Sequence, residues 1–170
     1  MEHRVLNGES VILLLGSNDE AAAEIIAKAL DIIGLTIGEI VRTSAEYRSE
    51  AYGFSSDREF INRAVEVHTE YDAYEVLRRI NLIEALLGRD RELEARIKSE
   101  RGEDYASRPI DIDIVFYGDR SYNDNRLTIP YHFLDERVYA LRPVAEIAPH
   151  REHPSLRLTP AEMLAKYDKR

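Results

Sequence analysis

A chain of 170 residues with a formal net charge of −9 is long enough to bury a core without staples, and too acidic for non-specific nucleic-acid or membrane binding to be its main business. It has no cysteine, which excludes disulfides, thiolate zinc sites and cysteine nucleophiles. The opening MEHRVLNGES has no signal-peptide core and no apolar run approaches ~18 residues, so a cytoplasmic chain without a membrane segment is expected.

Residues 1–9 read as a loose polar lead-in. Val11-Ile12-Leu13-Leu14-Leu15 is a continuous apolar run of strand length, the pattern of a strand buried on both faces. Gly16-Ser17-Asn18-Asp19 breaks it, and the sequence predicts a helix from about Glu20 to Ile33, with Ser17, Asn18 or Asp19 as N-cap and Gly34 as its stop. No GxGxxG or P-loop motif occurs, so strand-to-helix punctuation explains this stretch better than a phosphate cradle. Thr36 to Ser49 reads as a long strand with an irregularity in the middle. Glu50 to Asp57 is a loop carrying Tyr52 and Phe54, either a lid over a flat ligand or a segment folded onto the core. In the next strand, Phe60 to Val67, the residues Phe60, Asn62 and Ala64 share a face. Asn62 offers both a donor and an acceptor; it suits the edge of a planar heterocycle, or else satisfies backbone groups at the strand edge.

Asp72 caps a helix that runs to about Leu87 and ends at Gly88, with Val76, Leu77, Ile80, Ile83 and Leu87 as its core stripe. Glu84 sits at the margin of that stripe near the C-terminal end, where the helix dipole disfavours an acid; it is a solvated carboxylate or an acceptor for a ligand. Arg89 to Ser107 is charged, without strong apolar rhythm, and too long for an ordinary connection. It reads as an active-site lid or a surface insertion, with Arg89, Arg91, Arg96, Lys98 and Arg101 as a reservoir of cations. Of the 23 basic residues 19 are arginine, which suits bidentate phosphate contacts, although genomic base composition produces the same bias.

The stretch from Arg108 to Gly118 carries the strongest chemical signal. Ile110, Ile112, Ile114 and Phe116 alternate with Asp111, Asp113, Val115 and Tyr117, the period of a half-buried strand. Same-face neighbours lie ~6.6 Å apart along a strand, so Asp111 and Asp113 can converge on a cation. Hard oxygen ligands without Cys or His favour Mg²⁺, whose task at such a site is to bridge phosphate oxygens. The plainer alternative is an edge strand with a wet polar face and an arginine partner. Gly118-Asp119 then turns the chain into a short strand, Arg126-Leu127-Thr128-Ile129-Pro130. A helix is expected from Leu134 or Asp135, carrying Arg137 and Tyr139 and bent or restarted by Pro143. His150 and His153 read as surface residues of a tail, residues 150–170, which holds a short helix with Thr159 as N-cap and Pro160 at N1. The order β-α-β-β-α-β with a C-terminal helical extension is an α+β, ferredoxin-like plan within a single domain, 1–170, and this plan decides nothing about function.

The blocks Gly16-Ser17-Asn18, Phe60-Ile61-Asn62, Glu84 before Gly88-Arg89, Arg108-Pro-Ile-Asp111-Ile-Asp113 and Arg126-Leu-Thr-Ile-Pro130 together resemble the 6-hydroxymethyl-7,8-dihydropterin pyrophosphokinase family of folate biosynthesis, from about Val11 to Pro149. The resemblance implies transfer of pyrophosphate from ATP to the pterin hydroxymethyl oxygen, with two Mg²⁺ held by Asp111 and Asp113. It implies catalytic roles for Arg91, Arg108, Asp111 and Asp113, and ATP contacts from Glu84, Arg89, Arg91, Arg108, Ile114, Arg126, Thr128, Arg137 and one of Tyr131 and His132. It places the pterin between Phe60 and Tyr139 with Asn62 on its polar edge, near Asp111 and Tyr105, under the loop of Ser49, Glu50 and Tyr52. Small-molecule substrates, no nucleic acid, no membrane and a monomer are expected. The sequence departs from the family pattern where a His usually follows the Pro of the LTxP block, which is Tyr131 here, and where a Trp usually precedes the arginine, which is Tyr105. Other Mg²⁺-dependent nucleotidyl or phosphoryl transferases and a non-catalytic ferredoxin-like module are the alternatives.

Overall fold

The computed structural model describes residues 4–49, 59–101 and 109–168, so that Glu50, Tyr52, Tyr105 and Arg108 lie outside the described residues, as does the side chain of Arg101. In chain order the elements are β1 (Arg4–Ser17), α1 (Ala22–Thr36), β2 (Gly38–Thr43), β3 (Tyr47–Ser49), β4 (Phe60–Tyr71), α2 (Ala73–Leu86), α3 (Arg91–Arg101), β5 (Asp111–Tyr117), β6 (Tyr122–Asn123), β7 (Thr128–Ile129), α4 (Val138–Ile147) and α5 (Pro160–Asp168). The main sheet is antiparallel in the order β2-β4-β1-β5, with β3 also pairing with β4, and β6 and β7 form a small separate ribbon. Taking β2 and β3 as one interrupted strand, this is the ferredoxin-like arrangement the sequence predicts, followed by the helices α4 and α5.

The apolar run in β1 sits between β4 and β5 and is buried on both faces. Val11, Leu13 and Leu15 join the core formed with α1 and α2, while Ile12 and Leu14 join a second core formed with α4 and α5. Each fully buried side chain of this size stabilises the fold by about 2 kcal/mol, so truncating Leu13 to Ala costs about 3 kcal/mol once the cavity is included.

The structure corrects several sequence expectations. Residues 4–9 belong to β1: Arg4 pairs with Tyr71, and an irregularity between Arg4 and Glu9 absorbs Asn7 and Gly8, both at positive φ. The polar residues are held there because β4 extends to Tyr71 and offers them a ladder. Gly34 does not stop α1, which runs on to Thr36, because Ile33 and Ile37 are both buried and keep the helical stripe going past an exposed glycine. Its N-terminal residue has no side-chain cap; the Asp19 carboxylate instead accepts from the N–H of Ala21 at 3.0 Å. The charged stretch after Arg89 is largely the helix α3, since its Glu, Arg, Lys, Leu and Ala residues are good helix formers even without an apolar face.

Phe116 does not share a face with Ile110, Ile112 and Ile114. Leu13 pairs with Ile114 and Ile12 with Phe116, leaving Val115 as the extra residue of a bulge, so Val115 and Phe116 both face the α4 side and Tyr117 turns to the other core. Helix α4 starts only at Val138, after turns in which Leu134 and Glu136 donate to the carbonyls of Tyr131 and Phe133. It passes through Pro143 unbroken, the buried ring sacrificing one backbone bond near the middle of the helix. Asp72 caps α2 as expected, its carboxylate accepting from the N–H of Glu75 at 2.8 Å, and Thr159 and Glu162 form a reciprocal capping box at α5. His153 is buried, not a surface residue, and its Nδ1 accepts from the N–H groups of Ser155 and Leu156. No described helix is long and apolar enough to cross a membrane.

Candidate active site

Register places the site. Gly16 of β1 pairs with Asn62 of β4 on one side and with Asp111 of β5 on the other, and Tyr47 of β3 pairs with Asn62. Directly paired residues of an antiparallel ladder point to the same face, so Tyr47, Asn62, Gly16 and Asp111 form one row on the side of α4. In the next row Leu14 pairs with both Ala64 and Asp113, which puts Asp113 on that face too.

Gly16 lets the row work. A Cβ there would stand 2.9 Å from Asn62 Oδ1, so only glycine leaves the asparagine its place. Two strand spacings separate Asn62 from Asp111, about 10 Å, with a bare glycine floor between them. Asn62 is 5% exposed, and its Nδ2 is a buried donor with no hydrogen-bond partner among the described residues. A buried donor left unpaired costs about 1–3 kcal/mol, which a ligand acceptor within its reach would recover. Phe60, two residues along the same strand, and Tyr139, in the first turn of α4, are both partly buried; Ser49 pairs with Phe60.

The acidic end is built around Arg89. Its Nη1 donates to Glu84 Oε2 at 2.8 Å and to Asp111 Oδ1 at 2.9 Å, and its Nε donates to Glu94 Oε1 at 3.1 Å. Arg91 Nη2 donates to Glu84 Oε1 at 2.7 Å. Glu84 also accepts from the N–H of Ile112 at 2.9 Å, so the last turn of α2 closes part of the outer edge of β5. The Arg89 side chain is 6% exposed and Glu84 2%, whereas Asp111 is 32% exposed and Arg91 59%, so a buried core of charge carries an open rim. Burial raises the Glu84 carboxyl above its ordinary pKa, opposed by Arg89 and by the N–H of Ile112. Burial acts to lower the Arg89 pKa, and Asp111 and Glu84 more than offset it. An open cleft of about 520 Å³ adjoins this cluster, lined by Asn81, Glu84, Gly88, Arg89, Arg91 and Glu92.

Farther along the edge, the N–H of Tyr131 donates to the Val115 carbonyl at 3.0 Å, and the Tyr131 hydroxyl accepts from Arg137 Nη1 at 3.3 Å. Burial raises the Tyr131 pKa, and the nearby negative charge of Asp113 adds to it. Tyr131 therefore feels the charge of Asp113, while His132 is exposed and packs edge-on against Phe133. The Arg137 guanidinium lies 3.8 Å over the Phe133 ring. Ile114 is buried in the core with α1 and α2, on the opposite face from Asp111 and Asp113. Thr128 is exposed on β7, and Arg126 lies 5.1 Å over Tyr74 in the first turn of α2, about 15 Å of helix away from Glu84. The structure thus gathers Asn62, Asp111, Asp113, Glu84, Arg89, Arg91 and Tyr131 around one corner of the sheet, and leaves Arg126 and Thr128 beyond it.

Sequence reasoning did not foresee that Arg89 bridges Glu84 and Asp111, nor that Gly16 lies between Asn62 and Asp111. The second had a faint signal, a glycine at the end of an otherwise unbroken apolar strand.

The residue types fit magnesium. Two half-exposed carboxylates two positions apart supply hard oxygen donors, and Mg²⁺ usually keeps waters and takes only one or two carboxylates beside substrate phosphates. No group of three or more His, Cys, Asp or Glu side chains that could hold a metal ion occurs among the described residues.

The family model for 7,8-dihydro-6-hydroxymethylpterin-pyrophosphokinase matches residues 12–149. A Methylorubrum extorquens protein named 2-amino-4-hydroxy-6-hydroxymethyldihydropteridine pyrophosphokinase is 37% identical over 136 residues, which cover 79% of this chain and 80% of that protein. A Synechocystis protein of the same name is 32% identical over 155 residues, 91% of this chain and 74% of its own. Among solved structures, a Plasmodium falciparum HPPK-DHPS superposes with a TM-score of 0.77 at 18% identity over 96% of this chain; the chain spans 46% of that protein's length, and this likeness speaks to the fold alone. With residues 12–149 under the family model and a relative 37% identical over 79% of its length, this chain belongs to the 7,8-dihydro-6-hydroxymethylpterin-pyrophosphokinase family.

Proposed function

We propose that this chain transfers the terminal pyrophosphoryl group of ATP to the hydroxymethyl oxygen of 6-hydroxymethyl-7,8-dihydropterin. A bond forms between that oxygen and the β-phosphorus. The bond from the β-phosphorus to the oxygen bridging to the α-phosphorus breaks, its electron pair leaves with AMP, and the hydroxyl proton passes to solvent. The observation that carries this reading is the buried Nδ2 of Asn62, which has no hydrogen-bond partner among the described residues, in the same row as Gly16 and Asp111, in a chain with this family membership.

Reactions of this class need positioning and charge neutralisation, with no covalent nucleophile from the protein. Asp111 and Asp113 would hold two Mg²⁺, and magnesium supplies neutralisation of the triphosphate and polarisation of the attacking oxygen. Asn62 orients the pterin edge, and Phe60 and Tyr139 give its flat ring faces to stack on. Arg91, exposed beside the cleft, is placed to meet phosphate oxygens, while Arg89 fixes the direction of the Asp111 carboxylate. Tyr131, which shares the field of Asp113 and contacts Arg137, is the better candidate than His132 for a polar contact to the nucleotide. Arg126 and Thr128 would serve the nucleotide end beyond the β5 edge, and the family likeness would give Ile114 and Arg108 contacts to the nucleotide and Glu50, Tyr52 and Tyr105 contacts to the pterin. The substrates are small molecules, and the chain acts as a single catalytic domain.

Incubating the protein with Mg²⁺, ATP and the reduced hydroxymethyl pterin tests this directly. AMP that appears only with both pterin and metal is the expected product. Release of ADP, or of free pyrophosphate with a nucleotidylated pterin, would overturn the reading in favour of another transferase.

A further inference from the structure

One carboxylate near the end of α4 grips two points of the chain next to the Asn62 row. The Tyr47 hydroxyl donates to Glu146 Oε1 at 2.7 Å, and the N–H of Ala45 donates to Glu146 Oε2 at 3.0 Å. Both bonds span about a hundred residues of sequence, so they fix tertiary position and not local structure. Ala45 belongs to the bend between β2 and β3, which is also fastened to β4: Arg63 Nε donates to the Ser44 carbonyl at 2.8 Å, and the N–H of Ala64 donates to Ser44 Oγ at 2.9 Å. Arg142, one turn before Glu146, is paired with Asp168 of α5 at 3.5 Å.

β3 has only three residues, and a strand that short makes too few ladder bonds to hold its own place. Its first residue, Tyr47, lies in the row with Asn62, Gly16 and Asp111, and its last, Ser49, pairs with Phe60. On α4, Glu146 follows Tyr139 by seven residues, two helical turns, so both lie along one helix face. The carboxylate therefore ties the helix that carries Tyr139 to the strand that lies against Asn62 and Phe60.

We propose that Glu146 is a positioning residue for the pterin: by locking α4 to β3 through Tyr47 and Ala45, it sets the separation of the two aromatic walls above the Asn62–Gly16 floor. This inference rests on the pyrophosphokinase reading. It assigns Glu146 and Tyr47 an effect on the pterin that the nucleotide, bound around Asp111 and Asp113 on the far strand, does not feel.

The test is a pair of equilibrium titrations, reduced pterin by its own fluorescence and a non-hydrolysable ATP analogue with Mg²⁺, on the wild type and on Glu146→Ala, Glu146→Gln, Tyr47→Phe and the Glu146→Ala/Tyr47→Phe double variant. Glu146→Ala and Tyr47→Phe should each weaken the pterin about fivefold or more while moving the nucleotide less than about twofold. The double variant should be no worse than Glu146→Ala, since both changes remove the same bond, and Glu146→Gln should recover most of the affinity by keeping an acceptor for the Tyr47 hydroxyl. Parallel loss of both ligands, or no loss of either, would reduce Glu146 to a general structural contact and overturn the proposal. Should Glu146→Ala not fold, Tyr47→Phe decides the matter alone, because it keeps the ring and deletes only the hydroxyl. A wild-type protein that binds no pterin overturns the functional reading and this inference with it; variants that bind pterin like the wild type overturn this inference alone.

Discussion

Arg89 holds Asp111 from the α2 side of the sheet: a guanidinium only 6% exposed stands 2.9 Å from a carboxylate that turns its open side to the substrate face. The same Nη1 also serves the buried Glu84, so the direction of the candidate metal ligand is set by a charge network on the next layer. Removing the cation leaves three acids, Glu84, Asp111 and Glu94, without their shared partner, Glu84 in a poorly solvated place. Arg89→Met, which keeps the apolar stem, should therefore cost about 3 kcal/mol of stability, at the lower end for a broken buried pair because Arg91 and the N–H of Ile112 still serve Glu84. Denaturant unfolding would measure it, and a loss below about 1 kcal/mol would show that the network is not coupled.

Asp113 differs from Asp111 in lacking the Arg89 bond. Asp113→Asn should lower Mg²⁺-dependent turnover about 100-fold or more, with a higher Mg²⁺ concentration needed for half-maximal rate. Asp111→Asn should lose turnover similarly and lower the melting temperature as well, because it also weakens the hold on Arg89. Wild-type turnover and an unchanged Mg²⁺ requirement in either variant would contradict the assignment.

Gly16 and Asn62 should behave as one unit. Asn62→Ala removes a donor that has no hydrogen-bond partner among the described residues, so stability should change by less than about 1 kcal/mol while pterin affinity falls about tenfold. Gly16→Ala puts a methyl group 2.9 Å from Asn62 Oδ1 and should displace the amide, weakening the pterin to a similar extent without touching it directly. Calorimetric titration of both variants checks this; wild-type affinity in Gly16→Ala would mean that the amide does not read the ligand.

Two groups set the response to acid. Burial lowers the pKa of His153 from its ordinary 6.5, and its Nδ1 accepts two backbone N–H bonds that protonation would destroy. The folded state thus favours the neutral ring: this stabilisation is complete above pH 6.5 and is lost as the pH falls through the lower folded value. Hydrogen bonds from Arg78, and then Arg79, lower the Glu75 carboxyl from 4.5 to about 2, against the opposing effect of burial, so its contribution is complete above pH 4.5 and disappears only toward pH 2. Melting temperature recorded from pH 8 to pH 3 should fall first below pH 6.5. His153→Asn, which keeps an acceptor and does not titrate, should remove that first decline and leave the later one.

Much of this protein was legible because neighbouring residues carry it. The apolar run of β1, the Asp72 cap, the stop near Gly88 and the alternation that puts Asp111 and Asp113 on one face all follow from periodicity within a few residues. Where local rules failed, a packing term had overridden them: buried Ile33 and Ile37 carried α1 past Gly34, a bulge at Val115 turned Phe116 to the other core, and high helix propensity made α3 out of an apparent loop.

By itself, then, the sequence determined the central strands, the helices α1 and α2, the paired acids and the family blocks, since each depends on side chains close along the chain. Only the tertiary structure decided that Gly16 separates Asn62 from Asp111, that Arg89 reaches Asp111 across 22 residues, and that Glu146 reaches Tyr47 across 99. Those meetings depend on strand order and on register. A one-residue slip would send every one of these side chains to the opposite face, so no local pattern can specify them.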